Sequence, residues 1–313
     1  MKVGIKAVSI YQPSDSINNI TQGKKLDSSK DFIINKIGMK YLARKNKEDD
    51  TSDLAMKAVH VLKEEKNLLL ENVECLILVS QNPDKKGLPH SSAILHSKLD
   101  LQTNCAVFDI SLGCSGYVHG LSIIKSFMES NGFTNGVLVT SDPYSKIINP
   151  QDRDTALIFG DGASATWLTT NQPMWDIGPF DFGIDSDQSD ALNIGEDGFL
   201  FMNGRKVFNF AATRVPESVK SVLSKANLTI NEVDLVILHQ GSKFIVETLA
   251  KRLKSQDKTP FYSENIGNTI SSSIPILLSK LEGEVEKSII LSGFGVGLSW
   301  ASCLLTKRSN YDY

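Results

Sequence analysis

Cys114 lies in the run Ser111-Leu-Gly-Cys-Ser-Gly-Tyr117, where the small residues let backbone approach a substrate carbonyl closely. The run reads as a helix start, where free N–H groups and the macrodipole are expected to stabilise a thiolate and lower its pKa. A thiolate so placed is a nucleophile suited to acyl transfer. Further along, His239 ends an apolar run and Asn268 follows a glycine. Imidazole and carboxamide can both donate to one oxygen, and so stabilise negative charge developing on a carbonyl, a thioester enolate among them. Taken singly, a cysteine is more often a small core residue and a lone histidine more often structural. Their shared placement in a repeat is what argues for chemistry.

The elements that must position these residues occur twice, the second copy roughly 150 residues after the first. Residues 72–81 (NVECLILVSQ) resemble residues 231–240 (NEVDLVILHQ), each an acidic turn entering a buried strand, so His239 takes the slot of Ser80. Residues 108–114 (FDISLGC) parallel 262–268 (YSENIGN), each expected to be a short strand, a glycine turn and a helix start. Residues 136–141 (GVLVTS) parallel 287–292 (KSIILS). If two such halves pack about a pseudo-two-fold axis, the carboxyl ends of equivalent strands converge, and Cys114, His239 and Asn268 meet.

Periodicity predicts strands at 3–10, 74–80, 105–110, 136–141, 154–159 and 163–168. Helices are predicted at 51–65, 90–98, 114–129, 207–225, 242–254 and 269–281. The alternation is a layered α/β pattern, read as two halves: residues 1–172 with the nucleophile, and 173–313 with the histidine and asparagine. Residues 176–204 carry seven acidic residues and no lysine or arginine. They read as an irregular segment, either a solvated connector or a lid over the site.

A chain of 313 residues with 41% hydrophobic residues suits two halves with ample core. A net charge of −3 and the lack of a long Lys/Arg run argue against nucleic-acid and membrane-surface partners. Cys75, Cys105, Cys114 and Cys303 show no metal-ligand or disulfide spacing, so no metal site is expected. Reduced thiols fit a cytoplasmic protein, and the opening apolar stretch is too short for a signal peptide or membrane span. No nucleotide-binding glycine motif opens a helix. Gly293-Phe-Gly295-Val-Gly297 reads as a turn beside the site.

Several motifs together resemble the β-ketoacyl-acyl-carrier-protein synthase III family of the thiolase superfamily, nearly end to end. They are residues 31–39 (DFIINKIGM), Gly113-Cys114-Ser-Gly, Asp152-Arg153 leading to 159–163 (FGDGA), 202–208 (MNGRKVF), His239-Gln240, 267–269 (GNT) and 293–300 (GFGVGLSW). The resemblance implies a five-layered α-β-α-β-α fold, a homodimer, and no metal or redox cofactor. It implies that Cys114 takes an acyl group from an acyl-coenzyme A or acyl-carrier-protein thioester. His239 and Asn268 would then assist decarboxylation of a malonyl thioester, whose enolate attacks acyl-Cys114. The N–H groups of Cys114 and Val296 would form the oxyanion hole.

By the same resemblance Phe32, Lys36 and Arg153 would contact the donor, Leu88 would bound the acyl pocket across a dimer interface, and Lys251 with Arg252 would dock the acyl carrier protein. The family usually carries Trp and Arg where this chain has Phe32 and Lys36, and Arg where it has Phe244. Arg and Lys are not equivalent at stacked or bidentate contacts, which favours a carrier-protein-bound donor. Alternatives are an acyltransferase that passes the group from Cys114 to a hydroxyl or amine, and a non-catalytic partner subunit of a condensing pair. The order Cys, His, Asn also occurs in papain-like hydrolases.

Overall fold

The computed structural model describes residues 2–281 and 287–308. Its first half runs β1 (Gly4–Tyr11), β2 (Ser16–Asn18), α1 (Asn19–Lys25), a π-helical segment (Phe32–Ile37), β3 (Tyr41–Ala43), α2 (Thr51–Lys66), β4 (Cys75–Val79), α3 (Ser91–Lys98), β5 (Ala106–Ile110), α4 (Gly116–Asn131), β6 (Asn135–Ser141), α5 (Arg153–Ala156) and β7 (Ala163–Thr169). There follow β8 (Trp175–Ile184), β9 (Leu192–Ile194), β10 (Leu200–Met202), α6 (Gly204–Ala226), β11 (Leu235–Leu238), α7 (Lys243–Leu253), α8 (Ser273–Leu281), β12 (Ser288–Gly295) and β13 (Ser299–Lys307).

Nine strands pair in the order β11-β12-β13-β8-β1-β7-β6-β4-β5. In the first half β4 lies parallel to β5 and β6, β6 antiparallel to β7, and β7 antiparallel to β1. The plan recurs beyond the β1–β8 seam: β11 is parallel to β12, β12 antiparallel to β13, and β13 antiparallel to β8. β4 is buried along its whole length, as expected of a parallel strand covered on both faces.

Helix α4 packs on β4 and β6 from one half and on β8, β12 and β13 from the other, while α8 touches β1, β7, β11 and β12. These two helices form a middle layer. On the outside, α2 and α3 cover the first half and α6 and α7 the second, completing α-β-α-β-α. The middle layer is one continuous core in which Val79, Tyr117, Leu121 and Leu138 join Ile237, Ile274, Leu277 and Leu291. Each such fully buried aliphatic side chain contributes about 1.5–3 kcal/mol. Gly116 seats α4 closely: a Cβ there would lie 2.4 Å from Val79 Cγ1. That approach fixes the loop carrying Cys114. Among the described residues no helix is long and apolar enough to cross a membrane.

Four local expectations are corrected. Residues 154–159 are not a strand, because the Asp152 side chain accepts from Asp154 N (3.1 Å) and Thr155 Oγ1 (2.6 Å) and caps the helical turn α5. Only Phe159 pairs, as an isolated bridge to Asn268. The second-copy segment at 262–268 holds a 3₁₀ turn, Ser263–Asn265, and its carbonyls serve another element: Glu264 O and Ile266 O accept from Lys40 N and Ala43 N. Residues 176–204 are not irregular throughout, since β8 takes the first of them into the sheet beside β13 and β9–β10 form a hairpin. The two site helices also start late, α4 at Gly116 and α8 at Ser273 after a 3₁₀ turn, Ile270–Ser272.

Candidate active site

Cys114 sits between β5 and α4, His239 directly after β11, and Asn268 in the turn before α8. All three line one cavity of about 360 Å³. Each is nearly buried, at 5%, 3% and 4% exposure.

Backbone N–H groups of Val296 and of Cys114 itself lie near enough to the Cys114 sulfur to favour its thiolate. Glycine at 295 permits this, because a Cβ there would stand 2.7 Å from Cys114 Sγ and 2.8 Å from its Cβ. Burial nevertheless pushes the thiol up to about 12, with the Asp142 carboxylate adding to the shift and the two N–H groups opposing it. The expectation of a lowered pKa is therefore overturned. Cys114 lies two residues ahead of the first helical residue, and losing water costs a thiolate more than the helix end returns.

The His239 ring is held by Nδ1 against Ser273 Oγ at 2.8 Å, and its Nε2 lies 3.4 Å from Asn268 Nδ2. Burial lowers its pKa to about 3, against a backbone hydrogen bond at Ile270, so the imidazole is neutral. Ser273 Oγ also faces Gln240 N at 3.5 Å. In the tautomer with its proton on Nε2, Nδ1 accepts from the Ser273 hydroxyl and the ring is a donor on the Asn268 side. Asn268 Oδ1 accepts from Ile270 N at 2.9 Å, which turns the amide nitrogen toward Nε2. In that tautomer two neutral donors converge, and an oxygen between them would receive both bonds. Ile270 holds this turn at φ +56°, a left-handed value that a β-branched residue rarely adopts. The main chain of Asn268 is pinned in addition, with N donating to Ile158 O and O accepting from Gly160 N, both at 2.9 Å.

At the cavity mouth Lys36 Nζ stands 4.5 Å from the Phe244 ring centroid, and Phe208 stacks on Phe244 at 5.3 Å. Phe32 and Lys36, both proposed donor contacts from sequence, line this cavity along with Phe244. Arg153 lies apart from it. That residue lines an adjoining cavity which shares Phe32 and Arg205 with the first. The described residues lining the main cavity do not include Leu88, which stands 85% exposed before α3. Lys251 and Arg252 occupy the last turn of α7, and Arg252 Nη1 donates to Ala212 O of α6 at 2.9 Å, tying the two helices.

Ser273 and Phe294, whose ring meets His239 edge-on at 5.4 Å, were not picked out from sequence. The triple serine at 271–273, so close after Asn268, was the available signal. Asp142 was missed as well: a fully buried carboxylate that accepts from Gln81 N at 2.7 Å, Ser80 Oγ at 3.2 Å and Ser271 Oγ at 2.5 Å. It joins the ends of β4 and β6 to the turn that carries Asn268.

Two family models match the chain, 3-oxoacyl-[acyl-carrier-protein (ACP)] synthase III over residues 108–186 and its C-terminal counterpart over 223–307. The beta-ketoacyl-[acyl-carrier-protein] synthase III of Oceanobacillus iheyensis is 31% identical over 310 residues, spanning 97% of this chain and 99% of the relative. Synthase III 1 of Bacillus anthracis is 32% identical over 313 residues, with the same coverage. Among solved structures, the 3-oxoacyl-[acyl-carrier-protein] synthase III of Aquifex aeolicus superposes with a TM-score of 0.91 at 30% identity, covering 97% of this chain and 99% of that one. Xanthomonas campestris OleA, 17% identical with a TM-score of 0.89, shares the fold. This chain belongs to the 3-oxoacyl-[acyl-carrier-protein] synthase III family.

Proposed function

We propose that the protein is a condensing enzyme in which Cys114 carries an acyl group and His239 with Asn268 handles a malonyl thioester. The observation that carries this reading is the shared cavity, which brings the Cys114 thiol, the His239 ring and the Asn268 amide together.

In the first step the Cys114 sulfur attacks the donor thioester carbonyl. The oxyanion is taken by the N–H groups of Cys114 and Val296, the donor carbon–sulfur bond breaks, and the thiol proton leaves with the departing thiolate. In the second step the thioester carbonyl oxygen of the malonyl group sits between His239 Nε2–H and Asn268 Nδ2–H. Cleavage of the bond to the carboxylate releases carbon dioxide, and both donors stabilise the enolate. A neutral imidazole suits this role, because it donates to the oxygen without handing over its proton. The enolate carbon attacks the acyl carbonyl on Cys114, the acyl–sulfur bond breaks, a 3-oxoacyl thioester leaves, and the Cys114 thiolate takes up a proton from solvent.

The pantetheine arm would enter past Phe32, Lys36 and Phe244, with Arg153 outside the mouth and Lys251 and Arg252 offered to an acidic acyl carrier protein. Phe and Lys in place of a stacking Trp and a bidentate Arg favour the carrier-bound donor over the coenzyme A ester. A homodimer would bring the exposed Leu88 of one copy toward the other's acyl site. Incubation with an acyl donor and a carboxyl-labelled malonyl thioester tests the reaction: labelled carbon dioxide and 3-oxoacyl product should appear together. Transfer of the acyl group to a hydroxyl or amine, with the label retained, would replace this reading.

A further inference from the structure

Directly after β6, Asp142 has 0% exposure, a place where a carboxylate loses its hydration at a large cost. Its two oxygens divide between the halves of the chain. Oδ1 accepts from Gln81 N at 2.7 Å and from Ser80 Oγ at 3.2 Å, both at the end of β4. Oδ2 accepts from Ser271 Oγ at 2.5 Å, and the Ser271 N–H also lies near enough to favour the carboxylate. The two N–H groups among these partners can only donate, which suits an ionised carboxylate. Burial pushes its pKa up to about 6 against these bonds, so the group is still ionised at neutral pH.

Ser271 stands three residues after Asn268, and between them Ile270 holds φ +56°, a strained value that persists only where surrounding contacts fix it. The serine run supplies such contacts. Ser271 reaches Asp142, Ser272 Oγ meets Thr140 Oγ1 of β6 at 2.7 Å, and Ser273 Oγ meets His239 Nδ1 at 2.8 Å. Of these three ties the one to Asp142 is charge-assisted, and so the strongest. On its other side the carboxylate faces Cys114 and Tyr144, whose pKa values its charge raises along with burial, so that both are neutral. The end of β4 and the 270–272 turn present it with Ser80, Gln81 and Ser271. Lys146, two residues beyond Tyr144, pairs with Asp50 instead at 2.6 Å.

We propose that Asp142 is a positioning residue for decarboxylation: from the half that carries the nucleophile, its carboxylate holds Ser271 and so fixes the turn that aims the Asn268 amide at the malonyl thioester. The inference rests on the division of roles between Cys114 and Asn268 proposed above. Asp142 touches no reacting atom and acts on the enolate through Ser271. The same charge bears on Cys114, so its removal should move the two steps in opposite directions, which a loss of packing would not do.

Asp142→Asn and Ser271→Ala test it, with loading of butyryl-pantetheine read by intact-protein mass spectrometry and decarboxylation by labelled carbon dioxide from malonyl-pantetheine. Asparagine keeps an oxygen for Gln81 and Ser80 but sets an amide nitrogen against the Ser271 N–H. Decarboxylation should fall about tenfold or more in both variants, the scale of one hydrogen bond to a charged group. Loading should rise in Asp142→Asn alone. A thiol lowered by one pH unit gains about tenfold in thiolate and gives back about threefold in nucleophilicity, so a rise of about threefold is expected at neutral pH. Wild-type decarboxylation should also weaken as pH falls through about 6, where Asp142 takes up a proton, and Asp142→Asn should lack this limb. Equal losses of both steps in Asp142→Asn, or an unchanged decarboxylation rate in folded Ser271→Ala, overturns the inference and leaves the acyl-enzyme reading intact. A wild-type rate that stays flat from about pH 5 to 8 overturns it without recourse to a variant. A wild-type protein that neither loads nor releases carbon dioxide overturns both.

Discussion

Gly295→Ala is the most direct way to perturb the nucleophile without touching a reacting atom. The added Cβ would sit 2.7 Å from Cys114 Sγ and 2.8 Å from Cys114 Cβ, against ordinary carbon contacts of about 3.5–4.0 Å. Rotating the thiol about χ1 relieves the first clash but not the second, because Cβ is fixed by the backbone. β12 and the Cys114 loop must therefore separate by roughly 0.7 Å or more to restore an ordinary contact. The same movement carries the Val296 N–H away from the oxyanion. Misplacement on this scale, or loss of one oxyanion donor, costs about 10²–10³-fold in rate. Rapid-quench intact-mass measurement should show acylation falling by at least about 10²-fold, while release of carbon dioxide from a malonyl thioester, which uses His239 and Asn268, falls far less. A folded variant acylating within threefold of wild type, or losing both steps equally, would refute this reasoning.

Ser273→Ala removes the 2.8 Å bond to His239 Nδ1 and leaves a buried ring nitrogen unpaired, at about 1–3 kcal/mol. Decarboxylation should fall about tenfold or more with acylation nearly unchanged, and equal losses in both steps would contradict the assigned role. The raised Cys114 pKa fixes the sign of a pH effect: the thiolate is scarce at neutrality and grows until about pH 12. Acylation should accordingly rise about tenfold per pH unit from 7 to 9, and a plateau below pH 8 would show a thiol held low instead. With Phe32, Lys36 and Phe244 at the mouth, kcat/KM should favour a carrier-protein-bound donor over its coenzyme A ester by about tenfold, the scale of one stacked or bidentate contact. Comparable values for the two would remove that expectation.

The strands that carry the site were legible because burial on both faces wrote them as apolar runs: β4 and β11 stand at matching places in the repeat, and His239 follows the second. The meeting of Cys114, His239 and Asn268 in one cavity was legible for the same reason. What escaped depended on side chains bonding across the chain. Asp152 turns residues 153–156 into a helix through its own carboxylate, against an otherwise strand-like pattern. The segment at 262–268 matches the first copy in position, but among the described residues its pairing is confined to the isolated Phe159–Asn268 bridge, and its carbonyls serve Lys40 and Ala43. Acidic composition hid β8, whose apolar residues pair it into the sheet. The thiol's direction of shift was misjudged because a helix-end argument omits desolvation, which depends on three-dimensional burial. Asp142 gains its place only when the two halves close on each other, and Ser273 only when the start of α8 folds against the end of β11.

The central claim is that Cys114 holds an acyl group which a malonyl thioester then consumes. Intact-protein mass spectrometry after mixing with acyl donors, followed by malonyl-carrier protein, addresses it directly in wild type, Cys114→Ala and Asn268→Ala. The account predicts an acyl increment on wild type that malonyl donor discharges, none on Cys114→Ala, and an increment on Asn268→Ala that persists after malonyl donor is added. An increment on Cys114→Ala, or an Asn268→Ala protein that fails to acylate as completely as Cys114→Ala, would contradict it.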